Sequence, residues 1–249
     1  MRRPLRLAHC SDIHLDSDYF GGDWNRARRD RDRAQFDELL AAIDARRPDL
    51  MLLAGDLFDH NRASVETIEW ACERLAALPF PVVMIPGNHD CLADDAIYHR
   101  HDFAAAGLHL LLDPDGQTVV LDALGVAVWG RGLVDHHPGH RPLADPPGRP
   151  VPGLWYLGLA HGVHVPPAGE SRNSSPIHAH EIESADFDYL ALGHIHCARD
   201  VSAGTTTAWY SGAPHPILGE PGSFLSVGLA AGAAPDVTVC RVPAVDRRC

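Results

Sequence analysis

Eight polar side chains stand where apolar runs of this chain end, and their types suit the binding of metal ions. The clearest case is "YLALGHIH", Tyr189 to His196, where two imidazoles, His194 and His196, follow an apolar run at a spacing of two. In an extended strand, residues i and i+2 point to the same side, so both rings face one point where the strand gives way to a loop. Asp12 and His14 close "LRLAHCSDIH" at the same spacing. Asp56 closes "DLMLLAGD", Asn88 and His89 close "PVVMIPGNH", and His161 closes "LWYLGLAH". Carboxylate, imidazole and amide oxygen together are the donor mixture preferred by manganese, zinc, iron and similar divalent ions. The residues divide between two ions, one taking Asp12, His14, Asp56 and His196, the other Asp56, Asn88, His161 and His194, with Asp56 bridging. Two such ions about 3.5–4 Å apart clamp the attacking and leaving oxygens of a displacement. Two divalent ions, two carboxylates and one hydroxide sum to about +1, which attracts a phosphate even to an acidic chain.

The elements that position these residues alternate. Buried strands end at Asp12, Asp56 and Asn88, and between them lie a helical stretch over 24–47, with Phe36, Leu39, Leu40 and Ile43 at helical spacing, and a second helix behind the N-cap Ser64. Strand–helix alternation gives βαβ units and a largely parallel sheet, whose ligand site lies beyond the carboxyl ends of its strands. After Gly107, "LHLLLD", "QTVVLDA" and "VAVWGRGL" read as short strands in hairpins, hence an antiparallel part of a sheet. A Pro/Gly-rich loop spans 136–153, two more buried strands end at His161 and His194, and "TAWYSGAP", "SFLSVGLA" and "DVTVCRV" close the chain. The expectation is one α/β domain over residues 1–249.

Composition narrows the function. The net charge of −12 argues against a surface that coats polyanions through many cationic contacts. All 21 basic residues are arginine, which excludes Schiff-base catalysis and the lysine-dependent phosphate loop. Six cysteines (10, 72, 91, 197, 240 and 249) form no C-x-x-C pair and read as reduced thiols. With no signal-peptide core and no apolar run of about 20 residues, the expected location is the cytoplasm, with no membrane contact. There is no G-x-S-x-G nucleophile elbow, no cysteine with an arginine six residues later, and no third glycine in "GRGLVD" to make a dinucleotide site.

Five ordered motifs, "D-x-H" (Asp12–His14), "GDLFD" (Gly55–Asp59), "GNHD" (Gly87–Asp90), "HG" (His161–Gly162) and "GHIH" (Gly193–His196), resemble those of the calcineurin-like metallophosphoesterases, over residues 5–215. "PDLMLLAGDLFDHNR", "VVMIPGNHD", "DYLALGHIH" and "WYSGAP" look most like the DNA-repair exonuclease branch. The resemblance implies a four-layer α/β/β/α sandwich of two mixed sheets flanked by helices, two manganese-type ions (iron or zinc as alternatives), and hydrolysis of phosphodiesters by a metal-bridging hydroxide. It implies the same ligand split, with His89 contacting the phosphate and protonating the leaving oxygen, and Asp59 orienting His89. The substrate it implies is DNA, with a small nucleotide or other small phosphoester as the alternative. A non-catalytic protein-interaction scaffold is the reading from another class. A homodimer or a partner ATPase subunit would supply DNA-binding surface, because the nucleases of this branch continue into a C-terminal capping domain that this chain ends too early to contain.

Other features read more plainly. In "RARRDRDR", Arg26, Arg29 and Arg33 share a helical stripe, but interleaved Asp30 and Asp32 favour a solvated, self-paired face over a phosphate-binding one. His136, His137 and His140 read as surface-loop residues, Cys197 as structural and Asp90 as a cap.

Overall fold

The computed structural model describes residues 2–17, 23–135, 137, 139–169, 175–216 and 221–245. In chain order, β1 (Leu5–Cys10), α1 (Asp23–Asp44), β2 (Leu50–Ala54), α2 (Val65–Ala76) and β3 (Val82–Ile85) form the alternating N-terminal part. Then come α3 (Ile97–Arg100), β4 (His109–Leu110), β5 (Gln117–Leu121), β6 (Val126–Gly130), β7 (Trp155–His161), β8 (Val163–Val165) and β9 (Pro176–His178). The chain closes with α4 (Ala179–Ser184), β10 (Tyr189–Gly193), β11 (Arg199–Asp200), β12 (Thr207–Tyr210), β13 (Ser223–Leu229) and β14 (Asp236–Arg241).

Two mixed six-stranded sheets face each other, in the orders β14-β13-β1-β2-β3-β4 and β11-β12-β10-β7-β6-β5. Strands β1–β4 run parallel in the first sheet and β6, β7, β10 and β12 in the second; β13 pairs antiparallel with both β1 and β14, and β5 and β11 are antiparallel edges of the second sheet. The sequence reason is direct. Parallel strands are covered on both faces, so they read as continuous apolar runs, and β2, "LMLLA", is buried at all five positions. Its alternate residues serve different cores. Leu50, Leu52 and Ala54 meet Leu157, Leu159 and Ala191 between the sheets. Met51 and Leu53 turn outward to Phe36, Leu39 and Ile43 of α1 and to Ile68, Ala71 and Leu75 of α2. On the far side, Tyr156, Ala160, Leu190 and Tyr210 pack with Ile182 of α4. The result is the four-layer α/β/β/α sandwich.

Ser64 caps α2, its hydroxyl accepting from the Thr67 amide at 3.3 Å. Only β5 and β6 make the expected antiparallel pair after Gly107, for β4 joins the first sheet parallel to β3. The described part of the 136–153 loop contains no helix or strand, and His136 lies outside the described residues. Arg141 of that loop pairs with Glu181 of α4 at 2.7 Å, and Leu143 enters the far core. Three of the five arginines of α1 pair with acids, Arg28 with Asp32, Arg29 with Asp16 and Arg33 with Glu66 at 3.0 Å, while Arg26 and Arg31 are exposed. Asp90 caps a turn, accepting from the Leu57, Phe58 and Gly87 amides and the Tyr98 hydroxyl. Cys10, Cys72, Cys91, Cys197 and Cys240 are free. Among the described residues no helix is long and apolar enough to cross a membrane.

Candidate metal centre

The loops that follow β1, β2, β3, β7 and β10 meet at one end of the sandwich, across the seam between the two sheets. Their closeness depends on glycine at two points. A Cβ on Gly193 would lie 1.9 Å from the Ala54 carbonyl, and one on Gly87 would lie 2.1 Å from Asp56 Oδ1. Any larger residue at either position would push the two walls of the site apart.

The extended geometry expected at the paired positions does not hold, and the difference has a physical cause. Asp12 (φ 56°), His14 (54°), Asp56 (55°) and His194 (100°) all lie beyond the strand ends in the left-handed region. Such residues cost about 1–3 kcal/mol each and persist where their surroundings fix them. Here the loop after β1 is bonded to the loop after β2. The Asp12 amide donates to the Gly55 carbonyl at 3.1 Å, and the Ile13 and His14 amides donate to the Asp56 carbonyl at 2.8 and 3.1 Å. His194 and His196 therefore turn to different neighbours instead of facing one point. His194 Nδ1 lies 2.7 Å from Asn88 Oδ1 and His196 Nε2 lies 3.5 Å from Asp12 Oδ1.

The candidate residues form two half-sites joined at Asp56. In the deeper half, His161 Nε2 lies 2.8 Å from Asn88 Oδ1 and 3.3 Å from Asp56 Oδ2. His161 Nδ1 stands 2.8 Å from the Ala54 carbonyl, which can only accept, so Nδ1 carries the proton and Nε2 turns to the site. In the shallower half, His14 Nδ1 stands 2.9 Å from Asp59 Oδ1, and its buried Nε2 has no hydrogen-bond partner among the described residues, with Asp56 Oδ2 3.8 Å away. Asp12 anchors this half from below, both its oxygens accepting from the His194 amide at 3.0 and 3.1 Å and one from the Ser11 hydroxyl. Asp56 Oδ1 accepts from the His89 amide at 2.8 Å, leaving Oδ2 directed between the halves.

Donor atoms of Asp12, His14 and His196, of His14, Asp56 and His89, and of Asp12, Asp56 and His161 fall in groups within 4.8 Å of one another. His194 belongs to none of these three groups and joins through the amide oxygen of Asn88. Asp59 serves two imidazoles: its carboxylate holds His14, while its main-chain carbonyl lies 2.8 Å from His89 Nδ1, with the carboxylate 3.4 Å from the same atom. Sequence reasoning missed His215, which follows β12 in "GAPHP". Its ring centroid lies 6.4 Å from those of His14 and His196, and burial, then the positive potential of those two rings, pushes it down to about 4. Its place on a strand-end loop after "YSG" is the signal that marks it.

The electrostatics suit a cation. Burial opposes charge on His161, but the Asp56 carboxylate outweighs it and lifts the imidazole to about 9. Burial likewise opposes ionisation of Asp56, yet the charge of and hydrogen bond from His161 hold it below the usual carboxylate range. Burial and the neighbouring His161 push His194 down to about 4. Two imidazole nitrogens thus converge on the Asn88 amide oxygen, with the Asp56 carboxylate oxygen 3.3 Å from one of them. Only protons or a metal ion can satisfy so many acceptors in one place, so the residues present fit a metal.

The sequence model for calcineurin-like phosphoesterases matches residues 5–198. An uncharacterised metallophosphoesterase, YhaO of Bacillus subtilis, is 27% identical, covering 85% of this chain and 53% of its own. The DNA double-strand break repair protein Mre11 of Aeropyrum pernix is 28% identical over 96% of this chain and 61% of its own. One of the subunits of the nuclease SbcCD of B. subtilis is 24% identical over 84% of this chain and 61% of its own. The chain spans about half to three-fifths of the length of these relatives. A solved crystal structure with 12% identity superposes with a TM-score of 0.59 over 97% of this chain and 100% of its own, a likeness of fold.

Proposed function

The chain belongs to the calcineurin-like phosphoesterase family, and on that premise we propose that it is a dinuclear, metal-dependent phosphodiesterase acting on nucleic-acid phosphodiesters. The observation that carries the reading is the pair of half-sites sharing Asp56. His161, His194 and Asn88 converge on one side, and Asp12, His14 and His196 gather on the other, where the buried His14 Nε2 lacks a partner. Asp12, His14, Asp56 and His196 would hold one ion, and Asp56, Asn88, His161 and His194 the other, manganese fitting the mixture of oxygen and nitrogen donors. When bound, two such ions supply an activated water and neutralise the charge that builds up on phosphorus.

The chain's own residues do the rest. The Ala54 carbonyl and the Asp59 carboxylate fix the rings of His161 and His14, so that Nε2 of each faces the site. His89 is half-buried at the rim, and its Nδ1–H donates to the Asp59 carbonyl. Its Nε2 is then the atom that reaches the leaving oxygen and hands over a proton.

The Mre11 and SbcCD relatives support a DNA substrate, and the name of the SbcCD subunit extends the proposal to a partner subunit. A second reading, a small nucleotide phosphoester, is favoured by a probable cyclic nucleotide phosphodiesterase of Fibrobacter succinogenes, 27% identical over 56% of this chain and 61% of its own.

The test is hydrolysis of bis(p-nitrophenyl) phosphate and of linear single- and double-stranded DNA by chelator-stripped protein reloaded with manganese. His89→Gln is expected to lower kcat about 10²- to 10⁴-fold while the bound-metal content stays at two ions. A variant that loses an ion would show His89 to be a ligand instead, and DNA left intact while small esters turn over would move the protein to the second reading.

A further inference from the structure

Beside His196 the two sheets part. On that side of the seam the edge strand of the first sheet is β14 and that of the second is β11. Between them runs a groove of about 540 Å³, within the range of about 300–1,000 Å³ for small-ligand pockets. It is lined by His196, Cys197, Ala198, Ser223, Val239 and Arg241. Ser223 and Arg241 are register partners on β13 and β14, and β13 starts at the carboxyl end of β1, so the groove lies at the same end of the fold as the metal centre.

Three observations mark the groove as built for an anionic ligand longer than one phosphate. First, Arg241 carries the only permanent charge among the described lining residues. It is exposed, and its guanidinium makes no hydrogen bond or ion pair with another described residue. Its guanidinium is therefore open to an anion in the groove. Second, Val239, two positions before Arg241 on the same face of β14, leaves an apolar surface 46% exposed next to that cation. Third, the groove is tied rigidly to the site. The Ala213 amide donates to the His196 carbonyl at 3.2 Å, the Ser223 hydroxyl donates to the Ser211 carbonyl at 2.7 Å, and Ser211 Oγ lies 2.9 Å from Ser11 Oγ, the hydroxyl that donates to Asp12.

We propose that this groove is a subsite for the nucleotide next to the scissile phosphodiester, with Arg241 pairing with that nucleotide's far phosphate and Val239 covering its sugar or base. A guanidinium matches a phosphate with two parallel hydrogen bonds, and an apolar flank beside a few placed polar groups is how such pockets bind. The occupant is a single-stranded chain with at least two phosphates, because a pocket of nucleoside size between two sheet edges does not admit a duplex. The inference rests on the phosphodiesterase reading above and names its substrate class.

The test is calorimetric binding to the manganese-loaded full chain. The probes are dithymidines with a non-hydrolysable phosphonate linkage, bearing a terminal phosphate at the 5′ end, at the 3′ end, or at neither. Arg241→Gln, an exposed strand-edge change, is expected to weaken one of the two phosphorylated probes about tenfold, the worth of one charge-assisted contact, and to leave the unphosphorylated probe unchanged. The favoured probe should also slow alkylation of the exposed Cys197 in the native protein and not in the variant. Equal affinities of native and variant protein for both phosphorylated probes would overturn the subsite. Hydrolysis of bis(p-nitrophenyl) phosphate by the same preparation is read separately. Its absence would count against the phosphodiesterase reading, while the binding comparison still decides the role of Arg241.

Discussion

The two halves of the candidate metal centre hold the same kind of ligand by different means. In the deeper half, His161 is aimed by a main-chain carbonyl, Ala54 of the neighbouring sheet. In the shallower half, His14 is aimed by a side-chain carboxylate, Asp59. A carbonyl fixes the tautomer and ring angle but brings no net charge, and no side-chain substitution removes it. A carboxylate does the same orienting work, adds a negative charge beside the ring, and can be lost in one mutation. Here burial alone would lower His14, but its hydrogen bond to Asp59 and the charges of Asp56, Asp12 and Asp59 raise it. The deep half is therefore secured by the fold itself, and the shallow half by a residue that evolution or an experimenter can adjust.

The largest expected effect comes from the residue the halves share. Asp56→Asn keeps an oxygen to accept the His89 amide, so the loop geometry survives, but it removes the charge between the two halves. Metal content should fall at both sites, and phosphodiester hydrolysis should drop to below about one-thousandth. Elemental analysis beside the kinetic assay checks this. Loss of one ion with the other retained would mean that the halves are independent and that Asp56 serves only one.

A smaller change should separate the halves. Asp59→Asn leaves the His161 side untouched, and its main-chain carbonyl still meets His89. We expect one of two metal-binding steps in a calorimetric titration to weaken about 10- to 100-fold, the usual worth of an orienting partner, with the other step unchanged. Equal weakening of both steps would show that the carboxylate acts through the whole site's charge and not through the His14 ring.

How much of this was legible beforehand follows the same division. Every candidate ligand stands at the end of an apolar run, so composition and spacing along β1, β2, β3, β7 and β10 were enough to find them. The four layers follow from strands apolar at consecutive positions, such as "LMLLA". The path of the chain through the site was not legible. Period-two reasoning applies to extended backbone, and Asp12, His14, Asp56 and His194 leave it for left-handed conformations imposed by hydrogen bonds between loops far apart in sequence. The parallel docking of β4 escaped notice for a similar reason, since a two-residue strand carries no periodicity. His215 directly follows the "WYSGAP" run, a signal that was there to be used, whereas Arg241 sits in no motif and gains meaning only from His196, more than forty positions away.

The smallest effect isolates burial from charge. His9 on β1 is fully buried, like His161, with its Nδ1 2.8 Å from the Tyr189 hydroxyl between the sheets. Among the described residues it forms no ion pair with a carboxylate, and burial, only partly offset by the main chain at Leu192, pushes it down to about 3 where His161 goes up to about 9. The unfolded chain's His9 takes up a proton near pH 6.5 while the folded one does not, so below that value the unfolded state binds more protons. Stability from this residue is complete above about pH 6.5 and is lost progressively as pH falls toward about 3. At pH 5.5, one pH unit below the ordinary imidazole value, the loss is on the order of 1 kcal/mol. His9→Asn, which can still bond the Tyr189 hydroxyl, should remove that dependence, so denaturant melts at pH 7.5 and 5.5 should differ less in the variant than in the native chain, by roughly 1 kcal/mol. An unchanged difference would mean that the folded protein accommodates a charged imidazole at this depth without a carboxylate, and the contrast with His161 would then need a cause other than Asp56.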